Sequence, residues 1–256
     1  LPSVGEVTAP QAWNARRRLF PARAAGRKPI DQAARDADAG RDVREVSGRW
    51  TKPQPPPFAG EGSTQSATFS PDGKRLYFQV RADKGWATSF VEKLASGWSA
   101  PRTDEARHVC GSSFTRTGRA YYVSALKTKV WNIGIFSARV EADGYSDIAP
   151  LDSIINVPNA IDYTPYVSPD ESFLLFSSNR PLVGDKEDMH VHVSFRAADG
   201  SWSPPRRVSD IPGRFPALSP DGRYLFFCGD DGNMYWVDAK IIEALRSTGD
   251  AGGVKR

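Results

Sequence analysis

Two of the three histidines stand close together in the stretch "MHVHVSF", where one apolar residue separates His190 from His192. Side chains two positions apart in a β-strand point to the same face, and imidazole nitrogens are common metal ligands. His108 and Cys110 have the same spacing earlier in the chain. One hypothesis is therefore a divalent metal site formed by His108, His190 and His192, with Cys110 or Asp162 as a further ligand.

The alternative hypothesis gives these histidines a structural role. His192 would then pack inside the fold, His190 would hydrogen-bond a loop, and no cofactor would be bound. Strand spacing favours this alternative, because the first and third strands of one sheet lie about 10 Å apart. We therefore predict no cofactor, with a divalent metal ion as the alternative.

Other residue patterns give weaker chemical signals. The acidic loop "VGDKED" (183–188) offers oxygen ligands for Ca²⁺, but such charge runs are also typical of solvated loops. The recurring "SPDG" is not the Gly-x-Ser-x-Gly of a nucleophile elbow, and the chain has no phosphate-binding glycine loop. The densest basic stretch, residues 15–28, has a single aromatic residue and none of the motifs of a nucleic-acid interface. We predict no nucleic-acid partner despite the net charge of +4.

An internal repeat defines the elements that must position these residues. "SPDGKRLYF" (70–78), "SPDESFLLF" (168–176) and "SPDGRYLFF" (219–227) share one pattern, and "TRTGRAYYV" (115–123) is a degenerate copy. The apolar residues that precede the copies are spaced 45, 53 and 51 positions apart: Phe69, Phe114, Val167 and Leu218. A period of about 40–50 residues is typical of β-propeller blades.

Each copy has the chemistry of a tight turn between two strands. Pro sets φ, Asp bonds nearby backbone amides, and Gly supplies a positive φ where the chain re-enters the sheet. The apolar runs that follow, such as "RLYFQV" and "FLLFSS", predict strands with a buried face. Glu171 replaces the Gly in the third copy, so we expect that turn to be strained or of another type.

A third strand and a Pro-containing outer strand recur in step with the turns, as in "WATSFVEKL" (86–94) followed by "SGWSAPR" (96–102). We therefore predict an all-β fold, a β-propeller of four-stranded antiparallel blades. The spacing predicts five blades, or six with irregular closure. The stretch "IIEALRSTGD" (241–250) predicts a short C-terminal helix.

The N-terminal tract does not follow the repeat. We expect residues 1–45 to be an irregular basic segment or a degenerate blade, residues 46–246 to be the propeller, and residues 247–256 to be a disordered tail. The last unit has no outer strand of its own, and the segment around Trp50 is a candidate outer strand. Either the N-terminal tract forms a separate blade, or its strand closes the ring by completing the last blade.

The stretches "FSPDGKRLYF", "VSPDESFLLFSSNRP" and "LSPDGRYLFFCGDDGNMYWVDAKIIEAL" resemble the TolB-like Pro-Asp repeats of bacterial β-propellers, over roughly residues 46–246. The resemblance implies the fold and a periplasmic or secreted location. Relatives include partner-binding periplasmic proteins, propeller domains that gate peptidases, and metal-dependent oligogalacturonate lyases, so the fold alone does not define the function. The family often has Asp at the start of the third strand. This chain departs from that pattern with Ala87, Asn132, His190 and Asn233.

The starts of the first and third strands of each blade should share one end of the central channel. We predict that this end is a ligand-binding mouth. Its candidate residues are Gln65, His108, Asn132, Asp162, Tyr163, His190, Arg214 and Asn233. No catalytic residue is assigned.

The leading functional hypothesis is a non-catalytic binding module that holds a protein or glycan ligand at this mouth. The alternative is a metal-dependent glycan lyase or hydrolase that uses the histidine cluster, and a third hypothesis is a scaffold with no small ligand. No apolar run is long enough to cross a bilayer, so we predict no transmembrane segment. We expect a monomer.

Overall fold

The computed structural model describes residues 17–18, 45–46, 49–50, 58, 64–70, 72–82, 85–104, 110–125, 133–141, 144–180, 188–208, 212–229 and 233–250. Over these residues the protein is a β-propeller. Antiparallel sheets follow one another along the chain, and the innermost strand of each lines a common centre. The predicted all-β fold class is confirmed.

The strands contributed by residues 64–238 run from the innermost to the outermost of each blade in chain order. Three short strands precede the blades: β1 (Arg17–Arg18), β2 (Glu45–Val46) and β3 (Arg49–Trp50). Blade 1 contains β4 (Thr64–Phe69), β5 (Arg75–Ala82), β6 (Gly85–Leu94), β7 (Gly97–Trp98) and β8 (Arg102–Asp104). Blade 2 contains β9 (Cys110–Phe114), β10 (Arg119–Ala125), β11 (Ile133–Glu141) and β12 (Gly144–Pro150). Blade 3 contains β13 (Asp162–Val167), β14 (Phe173–Ser178), β15 (His190–Phe195) and β16 (Arg206–Arg207). Blade 4 contains β17 (Gly213–Leu218), β18 (Tyr224–Gly229) and β19 (Met234–Asp238), and the helix α1 (Lys240–Asp250) follows it.

The turns between the first and second strands have the predicted chemistry. In blade 1 the amide of Gly73 donates to the carbonyl of Ser70 at 2.9 Å, and Gly73 has a φ of 66°. The carboxylate of Asp72 accepts hydrogen bonds from the Ser70 hydroxyl at 2.6 Å and from the Lys74 amide at 3.0 Å. The aspartate therefore closes the turn through local side-chain bonds, as the sequence pattern predicts.

The turn of blade 3 is strained at the expected residue. Gly118 and Gly222 have φ values of 79° and 70°, and Glu171 occupies the corresponding position with a φ of 64°. A residue with a Cβ atom is disfavoured there by about 1 kcal/mol. The Glu171 carboxylate accepts a hydrogen bond from the hydroxyl of Tyr121 in blade 2. The strained residue thus ties two neighbouring blades together, and this contact offsets the strain.

The last blade takes its outermost strand from the N-terminal part of the chain. β1 pairs with β19, with Arg17 opposite Trp236 and Arg18 opposite Tyr235. This pairing agrees with closure of the ring by an N-terminal strand, although the strand is Arg17–Arg18 and not the segment around Trp50. Trp50 lies in β3, which pairs with β2 and not with a blade. The described residues therefore form four blades where the spacing predicts five, because the N-terminal strand belongs to an existing unit.

Blade 3 is buried between two hydrophobic cores. Leu174 and Phe176 pack against Tyr121 of blade 2, and on the opposite face Leu175 packs against Phe227 of blade 4. All six residues of β14 are buried, because neighbouring blades cover both of its faces. β18 instead alternates between buried and half-buried positions. The core is thus a series of layers between blades, centred on blade 3.

The C-terminal helix α1 is confirmed and packs into the core between blades 3 and 4 through Ile241, Ile242 and Leu245. The carbonyl of Leu245 accepts a hydrogen bond from Arg206 of β16. The helix ends at Asp250, inside the segment 247–256 that was expected to be a tail. Within the described part of the chain, no helix is long and apolar enough to cross a membrane.

Candidate functional site

A cavity of about 390 Å³ lies at the centre of the propeller. The innermost strands of all four blades form its wall, through residues 66–69, 113–114, 164–167 and 215–217, and Pro169 extends it to the turn of blade 3. Small-ligand sites commonly have volumes of about 300–1,000 Å³. The cavity is therefore the natural candidate for a binding site in the described part of the chain.

The described wall of the cavity is uncharged and mostly apolar, with a few Ser, Thr and Tyr hydroxyls. Phe69 and Phe215 lie on it with 55% and 53% of their surfaces exposed. Tyr166 is the one titratable side chain among the described wall residues. Burial, together with the nearby Asp170 carboxylate, raises the pKa of Tyr166, so its phenol stays neutral. An uncharged wall with exposed aromatic rings is suited to an uncharged ligand.

The same backbone irregularity recurs in three of the inner strands. Ser66, Thr164 and Phe215 have φ values of 56°, 49° and 57°, and the pairing register shifts at each of them. Each stands three positions before the apolar residue that precedes the turn, where blade 2 has Gly111. A β-bulge inserts one extra residue and re-aims the side chains beside it. All three strained residues belong to the cavity wall.

Hydrogen bonds between blades hold these inner strands at fixed spacing. The amide of Val167 in blade 3 donates to the Ser113 hydroxyl oxygen of blade 2 at 2.8 Å. The amide of Phe215 in blade 4 donates to the Ser177 hydroxyl oxygen of blade 3 at 3.2 Å. The hydroxyl oxygens of Ser177 and Thr164 lie 2.7 Å apart. The wall is thus assembled by side-chain hydroxyls that bridge neighbouring blades.

Asp162, a predicted mouth residue, lies inside blade 3 and is fully buried. Its Oδ1 accepts hydrogen bonds from Nη2 of Arg180 at 2.9 Å and from the Ser178 hydroxyl at 2.7 Å. The same guanidinium donates to the carbonyl of Ile155 at 2.7 Å. A buried carboxylate with a paired cation is a structural ion pair. The carboxylate is therefore used to hold the blade and the chain before it together.

The two described histidines of the predicted metal cluster are buried, with 5% of His190 and 3% of His192 exposed. The Nδ1–H of His190 donates to the carbonyl of Asp188 at 3.0 Å, and that of His192 donates to the carbonyl of His190 at 3.1 Å. The guanidinium of Arg207 contacts Nε2 of His190. A cation thus occupies the position from which this imidazole would bind a metal.

His192 is held as a neutral ring. Burial, assisted by the Arg180 guanidinium, lowers the pKa of His192 to about 4, and its ring stacks on Phe176 at a centroid distance of 5.9 Å. Within the described residues, no group of three or more His, Cys, Asp or Glu side chains could hold a metal ion. His108, the third predicted ligand, lies outside those residues. The metal site stays a prediction.

The cross-strand register supports the predicted shared end of blade 3, because Asp162 and His190 both pair with Ser178. The ring of Tyr163 lies 6.1 Å from that of Phe215, beside the cavity. Gln65 and Arg214 occupy the same position as Tyr163, each one residue before the bulge of its inner strand. The carbonyl of Asn233 accepts a hydrogen bond from the Gly229 amide at the start of the third strand of blade 4. His108 and Asn132 lie outside the described residues.

Sequence reasoning missed the residues that line the cavity, above all Thr164 and Phe215. A signal was present, since "TPYV" (164–167) and "FPAL" (215–218) both have Pro two positions before the strand end. Proline restricts the residue that precedes it. The two stretches could therefore have shown that Thr164 and Phe215 are equivalent and have unusual backbone geometry.

Comparisons with known proteins show similarity in fold. No family model matches the sequence, and no curated protein matches it. A solved chain of the nidogen–laminin complex aligns with a TM-score of 0.51 and 9% identity, over 77% of this chain and 69% of that chain. A gluconolactonase of Xanthomonas campestris has a TM-score of 0.49 and 15% identity, over 77% and 64% of the two chains. A protein of Agrobacterium tumefaciens with a provisional TolB assignment has a TM-score of 0.48 and 20% identity, over 68% and 57%.

These identities are too low to transfer an activity or a ligand. This chain also spans only 57% of the Agrobacterium chain and 64% of the Xanthomonas chain. The function therefore has to be argued from the cavity itself.

Proposed function

We propose that the protein is a non-catalytic, TolB-like β-propeller binding module that holds a protein or glycan ligand over its central channel. An uncharged part of that ligand occupies the cavity between the inner strands. The observation that carries the proposal is the apolar cavity wall, to which all four blades contribute and on which Phe69 and Phe215 are exposed. The TolB-like repeats favour an exported bacterial protein, which we propose acts as a monomer.

The chemistry of the described wall favours binding over catalysis. Acid–base catalysis requires a titratable group within hydrogen-bond reach of the reacting atoms. The described wall offers hydroxyls, prolines and aromatic rings, and its one titratable group, Tyr166, is held neutral. The buried Asp162 and His192 lie in the blade interior, where Asp162 Oδ1 and His192 Nδ1 are both engaged by protein groups.

Titration with Nile red, a neutral dye whose emission reports an apolar environment, tests the cavity as the binding site. Phe215→Ser removes an aromatic ring from the wall at modest cost, because the ring is already half exposed. We expect it to weaken dye binding about tenfold, from the loss of apolar contact area. Leu94→Ser is the matched control, since Leu94 is 49% exposed and lies outside the cavity wall. Equal effects of the two substitutions would contradict the proposal.

Metal analysis tests the non-catalytic assignment separately. The untagged protein should contain no stoichiometric transition metal, and a chelator should leave its melting temperature unchanged. A stoichiometric metal that is lost in His190→Ala would contradict the assignment and direct assays to acidic glycans.

A further inference from the structure

The cavity wall carries two hydroxyls whose oxygens already accept hydrogen bonds from protein groups. They belong to Thr164 of β13 and Ser113 of β9, on the inner strands of neighbouring blades. A hydroxyl has one proton to donate and two lone pairs to accept with. A protein donor that bonds the oxygen directs the proton elsewhere, so the proton is available to a ligand when no protein group accepts it.

The direction of the Thr164 bond follows from the burial of Ser177. Ser177 is fully buried, and within the described residues its hydroxyl has two partners, the Phe215 amide and the Thr164 hydroxyl. The amide can only donate, so the Ser177 proton has Thr164 Oγ1 as its acceptor. The opposite direction would leave a buried donor without a partner, at a cost of about 1–3 kcal/mol. The proton of Thr164 is therefore directed away from Ser177, and Thr164 belongs to the cavity wall.

The hydroxyl oxygen of Ser113 also accepts a hydrogen bond from a protein group. Its Oγ accepts the backbone amide of Val167 at 2.8 Å, and its own proton has no acceptor among the described residues. Ser113 is also a wall residue. Two neighbouring blades thus each present one hydroxyl donor to the cavity.

The backbone at Thr164 supports a role beyond packing. Thr164 is β-branched, precedes Pro165, and has a φ of 49°. A β-branched residue rarely adopts positive φ, and the strain is of the kind that clusters at ligand sites. Ser66 and Phe215 repeat the same strain at the equivalent positions of two other blades. The strained positions turn a hydroxyl and an aromatic ring towards one cavity.

We infer that Thr164 and Ser113 are specificity-determining donors for an uncharged polypeptide segment, whose carbonyl oxygens accept from both hydroxyls while an apolar side chain packs against Phe215. The inference rests on the proposed function, because it names the ligand class of the same cavity. Peptide carbonyls only accept, which complements a pair of donors. A sugar presents hydroxyls on every side, and the mostly apolar wall around Phe69 and Phe215 would leave many of them without hydrogen-bond partners.

Three small neutral compounds test the inference on the full chain by saturation-transfer NMR. N-acetyl-phenylalanine N-methylamide has carbonyls and an apolar ring, methyl β-glucoside represents a glycan, and propylbenzene lacks oxygen. We expect Thr164→Val to weaken binding of the peptide mimic about threefold to tenfold, as for one lost hydrogen bond. Thr164→Ser should restore it, and propylbenzene binding should change little in either variant.

The outcomes separate the inference from the proposed function. Equal binding of the peptide mimic to wild type and Thr164→Val, or preferential binding of the glucoside, would overturn the inference while leaving a cavity ligand in place. Absence of binding by all three compounds, together with a Phe215→Ser protein that still binds Nile red normally, would overturn the proposed function itself. Thr164→Val also removes the acceptor of Ser177, so its folding is checked by thermal melting. If it does not fold, Ser113→Ala decides the inference by the same loss of affinity for the peptide mimic.

Discussion

The stability of this propeller should depend on pH through one buried imidazole. The ring of His192 is 3% exposed, stacks on Phe176, and donates its Nδ1–H to the carbonyl of His190. Burial and the Arg180 guanidinium lower its pKa to about 4. Protonation would place a second positive charge beside Arg180 in a site that excludes water. The folded protein therefore resists protonation of His192.

The sign and size of the effect follow from proton linkage. The unfolded chain takes up this proton near pH 6.5, the ordinary value for histidine, and the folded chain does so only near pH 4. Between these values the unfolded state binds more protons, so the stability is complete above pH 6.5 and falls as the pH falls through the window. With about 1.36 kcal/mol for each pKa unit, the expected loss between pH 7 and pH 5 is about 2 kcal/mol.

Urea unfolding at pH 7 and pH 5 measures this loss. His192→Gln is the matched variant, because its amide can still donate to the His190 carbonyl but does not titrate. We expect the wild type to lose about 2 kcal/mol more than the variant between the two pH values. Asp72 and Asp170 do not interfere, because their pKa values are lowered by hydrogen bonds and their contribution is lost only below their ordinary range. Equal losses in the two proteins would refute the assignment of a neutral, desolvated His192.

Two further substitutions test the packing that surrounds the cavity. Asp162→Asn breaks the buried ion pair with Arg180 and should lower the free energy of unfolding, measured in urea, by about 3 kcal/mol. The control Asp147→Asn, at an exposed ion pair, should change the free energy of unfolding little. Similar small effects at both sites would contradict the structural role of Asp162. Gly213→Ala would place a Cβ atom 2.6 Å from the buried ring of Phe227. We expect it to lower the free energy of unfolding by about 1–3 kcal/mol and with it the melting temperature. An unchanged melting curve would show that the ring can move aside.

Local chemistry explains why the turns could be predicted from the sequence. Gly73 and Gly222 adopt the expected positive φ, and Asp72 bonds the expected amide, because each of these features depends on residues within one turn. The strain expected at Glu171 is present for the same reason. Its hydrogen bond to Tyr121 could not be predicted, because the two residues come from different blades.

The candidate site was harder to predict because its parts meet only in three dimensions. The period-two pattern of "MHVHVSF" correctly placed His190 and His192 on one face, but it could not show that Arg207 contacts one ring and Phe176 the other. Asp162 was assigned to the mouth from its position in the strand. Its pairing with Arg180 depends on how the chain after β14 folds back, which no local pattern reveals.

The arrangement of the blades also depended on long-range pairing. Four hairpins could be counted from the repeated turns, and all four are present. The outer strand of blade 4 comes from Arg17–Arg18, more than 200 residues from its partner β19. A spacing argument follows the chain in order, so it left open whether the N-terminal tract forms a unit of its own or completes the last blade.

A crystal structure of the protein with bound N-acetyl-phenylalanine N-methylamide would test the central claim most directly. We predict that the compound lies in the central cavity, with its ring against Phe215 and a carbonyl oxygen within hydrogen-bond distance of Thr164 Oγ1 or Ser113 Oγ. Binding at the opposite end of the inner strands, beside Arg214, with the cavity empty, would contradict the claim.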